Sequence, residues 1–322
     1  MHNIKSKSSY SLLLTGGTGT FGHEFLRVIL KDKRLKKIII FSRDEMKQWH
    51  MSKKYIDSRI RFFIGDIRDE SRLSLALRGI DYVFHSAAMK IVDIAEYNPF
   101  ECIQTNVVGA MNLVKACIQN KVKKIISLST DKASSPINLY GASKLAADKI
   151  FLSASSIVGN QKTLFSIVRY GNVIGSRGSL IPYLLKLNDD KKSFFPITDE
   201  KMTRFVITIN EAVKFSIMCM NLMKGSEIFV KKLPSVKIVD IAKAINPYKK
   251  IKFIGKNTGE KLSEELIGEE DSEYAKEFKD YFVIRAKEKT TKKNKKKFSY
   301  TSSNNSRFLN INEIKKIITV SD

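Results

Sequence analysis

"LLLTGGTGTFGHEFL", residues 12–26, decides the fold. Leu12 to Leu14 form a short apolar run of strand character, and Phe21, Phe25 and Leu26 recur at the spacing of one helix face, so the segment reads as strand, turn and helix. Gly16, Gly19 and Gly22 punctuate the turn. A G-x-x-G-x-x-G turn can be purely structural, but between a first strand and a first helix it leaves backbone amides free to close around a pyrophosphate.

Working outward, apolar runs recur at "KIIIFS" (37–42), "IRFFIGD" (60–66), "DYVFHSA" (81–87), "KIISLST" (124–130) and "FSIVRYGN" (165–172), with helix-patterned stretches between them. That alternation predicts an α/β chain of Rossmann type, a doubly wound parallel sheet with helices on both faces. The clearest helices are "NPFECIQTNVVGAMNLVKACIQN", opened by Asn98 with Pro99 in its first turn, and "NLYGASKLAADKIFLSAS". After residue 170 the rhythm loosens. Residues 1–170 are expected to form the cofactor-binding domain, with 205–232 returning to it through the strand "SEIFVKK". Residues 171–322 are expected to be mainly a smaller α/β substrate-binding part.

The 322 residues are 43% hydrophobic, and no apolar run approaches the roughly 20 residues of a membrane span. A soluble cytoplasmic protein is expected. Cys102, Cys117 and Cys219 are scattered, and no His or Cys cluster has metal-ligand spacing, so neither a disulfide framework nor a metal site is expected. The net charge of +24 would suit an anionic partner. Lysine is spread throughout, however, and the one dense basic run, 287–297, reads as a solvated loop, so nucleic acid is not the expected partner.

The second strand ends in "FSRDEMK", where an NAD-selective site usually presents an acid to the ribose 2′-hydroxyl. Ser42 and Arg43 stand there instead, with Lys47 one turn on, which suits a 2′-phosphate and favours NADP over NAD. Asp44 could turn inward and oppose this. At the next strand end, Asp66 and Ile67 are expected against the adenine.

The stretch "STDKASSPINLYGASK", 129–144, carries the chemistry. Tyr140 and Lys144 face the same way on a helix, and a nearby ammonium together with a nicotinamide's positive charge would lower the phenol's pKa enough to make it a base toward a sugar hydroxyl. Oxidation alone needs no more. Elimination of water needs a further acid and base, because the ketone formed acidifies the neighbouring carbon, whose proton must leave while the hydroxyl beyond it is protonated. Asp131 and Lys132, at the end of a central strand, can supply both; the alternative is a salt bridge between adjacent residues. Lys132 must be neutral to act, and the positive charges of Lys144 and the nicotinamide are expected to lower its pKa.

In order and spacing, "TGGTGTFG", "FSRDEMKQ", "FFIGDIRDESRL", "IAEYNPFECIQTNVVGA", "LSTDKASSPINLYGASK", "VRYGNVIGSRGS", "ITDEKMTRF" and "GEKLSEEL" resemble the UDP-N-acetylglucosamine 4,6-dehydratases (inverting), extended short-chain dehydrogenase/reductases that begin pseudaminic acid biosynthesis. The Thr-Asp-Lys triplet is the specific part of the resemblance. It implies oxidation by Tyr140 and Lys144, Lys132 as base at sugar carbon 5, Asp131 as acid for water loss, and Thr130 holding the sugar hydroxyl. It adds Thr18, Thr20, Phe21 and Ala87 to the cofactor site, places Lys90 near both cofactor and sugar, and puts Asn172, Leu180, Thr198 and Arg204 against the UDP-sugar. Arg204 would clamp a phosphate. A homo-oligomer is implied too.

The chain departs from the family's pattern where Ile91 and Asp93 replace His and Pro, where Asn257 replaces an Arg that would face the diphosphate, and where Ser263 replaces His. The expected function is therefore NADP-dependent 4,6-dehydration of UDP-N-acetylglucosamine with inversion at carbon 5. A dehydratase or 4-epimerase of another nucleotide sugar is the alternative, and a non-catalytic NADP- or nucleic-acid-binding protein is the alternative of another class.

Overall fold

Apolar side chains on both faces of a strand have to be covered twice, and β1 (Tyr10–Thr15) meets that need as an interior strand of a nine-stranded sheet. In the computed structural model, which describes residues 3–6, 8–159, 162–190, 194–285 and 296–319, β1 runs parallel to β2 (Leu35–Ser42) on one side and to β4 (Tyr82–His85) on the other. β3 (Ile60–Ile64) lies outside β2, while β5 (Lys124–Thr130) and β6 (Leu164–Tyr170) follow β4 in parallel. The chain therefore reverses its order between β1 and β4, and the carboxyl ends of these two strands open the crevice where ligands meet such sheets.

The strand Ile228–Lys231 pairs in parallel with β6. Beyond it lie Tyr281–Ile284 and Ala275–Glu277, both antiparallel. Both strands come from the range 171–322, expected to be mainly the substrate-binding part. They join the main sheet because Phe282, Val283 and Ile284 bury their side chains in its core.

The helix expected from Asn98 is interrupted. Pro99–Ile103 and Gly109–Gln119 are joined by a π turn, Gln104–Val108, and Asn98 makes no side-chain cap, its amide donating backwards to the Ile94 carbonyl instead. The extra residue of the π turn aims Asn106 inward. Its amide bonds both the N–H and the carbonyl of Met89 and donates to Ser143 Oγ, tying the loop after β4 to the helix Leu139–Ile157.

A second core gathers Ile174, Leu184, Phe195, Val206, Ile241 and Ile314 around two small sheets. One consists of Asn172–Val173, Thr203–Ile207 and Ser235–Lys237, the other of Phe194–Ile197 and Lys250–Phe253. Of the basic run 287–297, only Lys296 and Lys297 are among the described residues, and Lys297 pairs with Glu270 and Glu273. Among the described residues, no helix is long and apolar enough to cross a membrane and no group of side chains could hold a metal ion.

Candidate active site

Helix Leu139–Ile157 starts where Asn138 accepts a hydrogen bond from the Gly141 N–H at 2.8 Å. Gly141 lies so close to the Lys132 carbonyl that a Cβ there would collide with it, so the helix start is pressed against the loop after β5. Tyr140, Lys144 and Asp148, spaced by four residues, share the buried face. Lys144 donates to the Leu128 carbonyl at 2.8 Å. Burial pulls its pKa down, with the Asp148 carboxylate opposing. Asp148 is itself held by Ser129 at 2.7 Å and by the buried Arg169 at 3.4 Å.

The electrostatics of Tyr140 differ from the expectation. Burial pushes its phenol up to about 12, while the charge of Lys132 and a hydrogen bond with Thr130 pull it back. The ammonium acting on the phenol is therefore that of Lys132, while Lys144 spends its charge on a carbonyl and on Asp148.

Thr130 Oγ1 donates to Asp131 at 3.0 Å and accepts from the Lys132 N–H at 3.3 Å, shaping a 3-10 turn over Asp131–Ala133. The turn lets two adjacent side chains meet: Lys132 Nζ stands 3.1 Å from Asp131 Oδ1. This pair is no surface salt bridge, because Asp131 is 0% exposed. Burial, reinforced by the negative charge of Glu264, raises the Asp131 pKa against the pull of Lys132.

Lys132 runs opposite to the expectation as well. Burial works to lower its pKa, but the carboxylates of Asp131 and Glu264 outweigh it and hold Lys132 above the ordinary lysine range. Glu264, buried and 2.9 Å from Lys132 Nζ, is the residue the sequence reading missed. In "GEKLSEEL" it is one of two adjacent acids, and only the fold sends Glu265 to Ser134 and Ser135 while Glu264 points inward.

A cavity of about 500 Å³ opens beside this pair. Lys132, Asn172, Leu180, Thr198, Arg204 and Asn257 all line it, as does Asp93. Arg204 is buried rather than superficial. It donates to the Thr203 and Leu262 carbonyls and approaches Glu264 at 3.6 Å and Glu260 at 3.8 Å. Lys90 does not line the cavity; its Nζ donates to the Arg177 carbonyl at 2.7 Å. The Ile91 side chain reaches toward Gly178, and Ser263 is half-buried outside the cavity lining.

At the other end of the crevice, Gly16 adopts φ +64° with its Cα against Ala87, and a Cβ there would lie 2.8 Å from the Ala87 backbone. A Cβ at Gly22 would collide with the Gly17 carbonyl. Gly19 opens helix α1 (Thr20–Ile29) without any side-chain cap, and Thr18, Thr20 and Phe21 complete the bend. These close approaches leave first-turn amides without side-chain cover, a cradle that fits a dinucleotide pyrophosphate. Arg177 straps the loop from above, donating to the Thr18 carbonyl at 2.7 Å.

At the tip of β2, Ser42 Oγ accepts from Gln48 at 3.0 Å. Asp44 does not turn inward: it caps the helix Glu45–Lys54 and pairs with Lys47 at 2.6 Å. Arg43 reaches Asp66. The Ile67 side chain lies in the core under Gly109, leaving only its backbone to face a ligand.

Residues 12–286 match the family described as polysaccharide biosynthesis protein. Over 323 aligned residues, covering 96% of this chain and 97% of the relative, the sequence is 47% identical to a UDP-N-acetylglucosamine 4,6-dehydratase (inverting) from Campylobacter jejuni subsp. jejuni serotype O:23/36. It is 39% identical to a UDP-glucose 4-epimerase from Rickettsia bellii, covering 96% and 95% of the two chains. The X-ray structure of Pen from Bacillus thuringiensis superposes with a TM-score of 0.90 at 38% identity, over 98% of each chain.

Proposed function

The chain belongs to the polysaccharide biosynthesis protein family, among the nucleotide-sugar 4,6-dehydratases of the short-chain dehydrogenase/reductase fold, and we propose that it dehydrates UDP-N-acetylglucosamine with NADP, inverting carbon 5. One observation carries the reading beyond simple redox chemistry: a buried acid and a base meet at 3.1 Å beside Tyr140 and the sugar-sized cavity.

Residues 1–170, with 205–232, hold the cofactor, and the rest of 171–322 mainly holds the sugar nucleotide. Gly16, Gly19 and Gly22 receive the pyrophosphate, and Ser42, Arg43 and Lys47 select the 2′-phosphate. When bound, the cofactor supplies reversible hydride transfer between carbon 4 and carbon 6.

The chain's own residues move the protons. Tyr140 takes the proton of the carbon 4 hydroxyl, with Thr130 positioning it and Lys132 easing ionisation of the phenol. One proton passing along the hydrogen bond from Lys132 to Asp131 creates the amine base and the carboxylic acid together; burial of both groups favours this transfer, and the negative charge of Glu264 on Lys132 opposes it. Lys132 then removes the carbon 5 proton while Asp131 protonates the leaving carbon 6 hydroxyl. The C5–H and C6–O bonds break, a C5=C6 double bond forms and water departs. Asn172, Leu180, Thr198 and Arg204 hold the UDP-sugar, with Lys90 between sugar and cofactor. The product, a UDP-2-acetamido-2,6-dideoxy-hexos-4-ulose, would feed pseudaminic acid or a related surface glycan in the cytoplasm, and the working form is a homo-oligomer.

Incubation with UDP-N-acetylglucosamine and NADP, read by NMR, tests this. A 4-keto-6-deoxy sugar inverted at carbon 5, without stoichiometric NADPH, supports the reading. A 4-epimer alone would favour the epimerase reading that the Rickettsia relative raises, with Asp131 and Lys132 idle.

A further inference from the structure

We propose that Glu264 is a positioning residue for the dehydration, fixing the aim of Lys132 and the number of protons that the Asp131–Lys132 pair carries. The proposal deepens the dehydratase reading and rests on it for its kinetic part.

Geometry comes first. Glu264 is 2% exposed, and its Oε1 receives Lys132 Nζ at 2.9 Å, closer than Asp131 does at 3.1 Å. Lys132 is thus held from two sides, by an acid on its own turn and by one brought from a distant segment. That segment is clamped in place. Asn138 donates to the Gly259 carbonyl at 2.9 Å, Lys261 to the Ser134 carbonyl at 3.0 Å, and Ser134 and Ser135 to Glu265 at 2.8 and 2.7 Å. The Glu264 N–H donates to Ser302 Oγ at 2.9 Å, and the Ser302 N–H returns a bond to the Glu264 carbonyl at 2.8 Å. These bonds anchor the backbone that carries Glu264, so its carboxylate reaches Lys132 from a fixed point of the chain and sets the direction from which Nζ approaches the sugar.

Charge gives the second part. The groups around Lys132 Nζ are Asp131 and Tyr140 on its own side of the cleft and Glu264 and Arg204 on the facing side, with Glu260 and Lys261 behind them. Burial would raise the Glu264 pKa, but Lys132 and Arg204 outweigh it and keep the group ionised, whereas Asp131 is shifted the other way. Two buried carboxyls with opposite shifts take different roles. Glu264 stays the fixed negative charge, and Asp131 is the one that gains and gives a proton. A fixed negative charge raises the pKa of both Lys132 and Asp131, so it sets the pH at which the pair loses its first proton and becomes an acid beside a free amine.

The test reads Lys132 itself. Trace acetylation of the intact protein by acetic anhydride over a pH series, followed by mass spectrometry of the Lys132 peptide, gives the pH at which the amine becomes reactive. Glu264→Gln should move that midpoint down by about one to three pH units, the usual effect of an opposite charge within 4–6 Å. Glu264→Asp, which keeps the charge but draws it back by one methylene, should shift it the same way by less. With UDP-N-acetylglucosamine, both limbs of the kcat–pH profile should move down in Glu264→Gln, and kcat should fall more than KM changes. An unmoved Lys132 midpoint in both variants, or a uniform loss of rate with the profile in place, would overturn the proposal. If wild-type protein makes no 4-keto product but the midpoint still moves, the dehydratase reading fails while the control of Lys132 by Glu264 stands.

Discussion

Arg43 at the tip of β2 reaches 3.7 Å across to Asp66 at the tip of β3, and Arg68 grips the same carboxylate at 2.7 Å. The two arginines hold Asp66 ionised against its partial burial. Since Arg68 alone can keep Asp66 paired, Arg43, half-exposed, is free to serve a ligand. Arg43→Ala should therefore leave folding intact and weaken NADP binding by about 1.5–3 kcal/mol, the scale of a hydrogen bond to a charged group, with NAD nearly unaffected. Titration calorimetry with both cofactors checks it; equal losses would remove Arg43 from cofactor selection.

Asn257 lines the cavity on a loop tied to Asn138 through the Gly259 carbonyl. Restoring a cation there, Asn257→Arg, should lower KM for the UDP-sugar with little change in kcat, because a diphosphate contact remote from the reacting carbons binds ground and transition states alike. A higher KM would show the new guanidinium captured by Glu260, whose carboxylate already faces the Asn257 N–H at 3.3 Å.

Lys132→Met should abolish elimination, with a loss well beyond the roughly hundredfold minimum for a general base, while NADP binding survives. The loss of Lys132 also takes from Glu264 its 2.9 Å partner, so stability should fall by about 3–5 kcal/mol, the scale for breaking a buried pair. In heavy water the wild-type product should carry deuterium at carbon 5, and a deuterium placed at carbon 4 should reappear at carbon 6. Near-normal turnover in Lys132→Met would end the assignment of Lys132 as base.

His85 ends β4 against Phe151 and bonds Thr15 at 2.7 Å. Burial, and then the charge of Lys144, drives its pKa down to about 3. The unfolded chain binds this proton near pH 6.5 and the folded chain does not, so His85 contributes stability above that pH and loses it progressively as pH falls toward 3. The slope between about pH 6 and 4.5 should approach 1.4 kcal/mol per pH unit, with half-buried His23 adding to it. Denaturant midpoints should show a flatter slope in this window for His85→Gln; an unchanged slope would assign the acid sensitivity to other groups.

Much of this arrangement is written locally. Strand, glycine turn and helix at 12–26 follow from apolar spacing and from positions such as Gly22 where no side chain fits, and these are short-range properties of the chain. Asp131, Lys132, Tyr140 and Lys144 were legible for the same reason, since one turn and one helix bring them together. What the tertiary structure decided is their electrostatics and their company. Asn106 depends on a π turn that residue patterns do not announce, and Tyr281–Ile284 joins the sheet because its partner Ile228–Lys231 was already there to receive it. Above all, the pKa of Lys132 depends on burial and on Glu264, a residue far away in the chain whose direction is set by hydrogen bonds to Ser302 and by the clasp of Ser134 and Ser135 on its neighbour. Sequence determines which groups are available; the protonation of a buried group depends on every charge within a few ångströms, and only the folded chain fixes those distances.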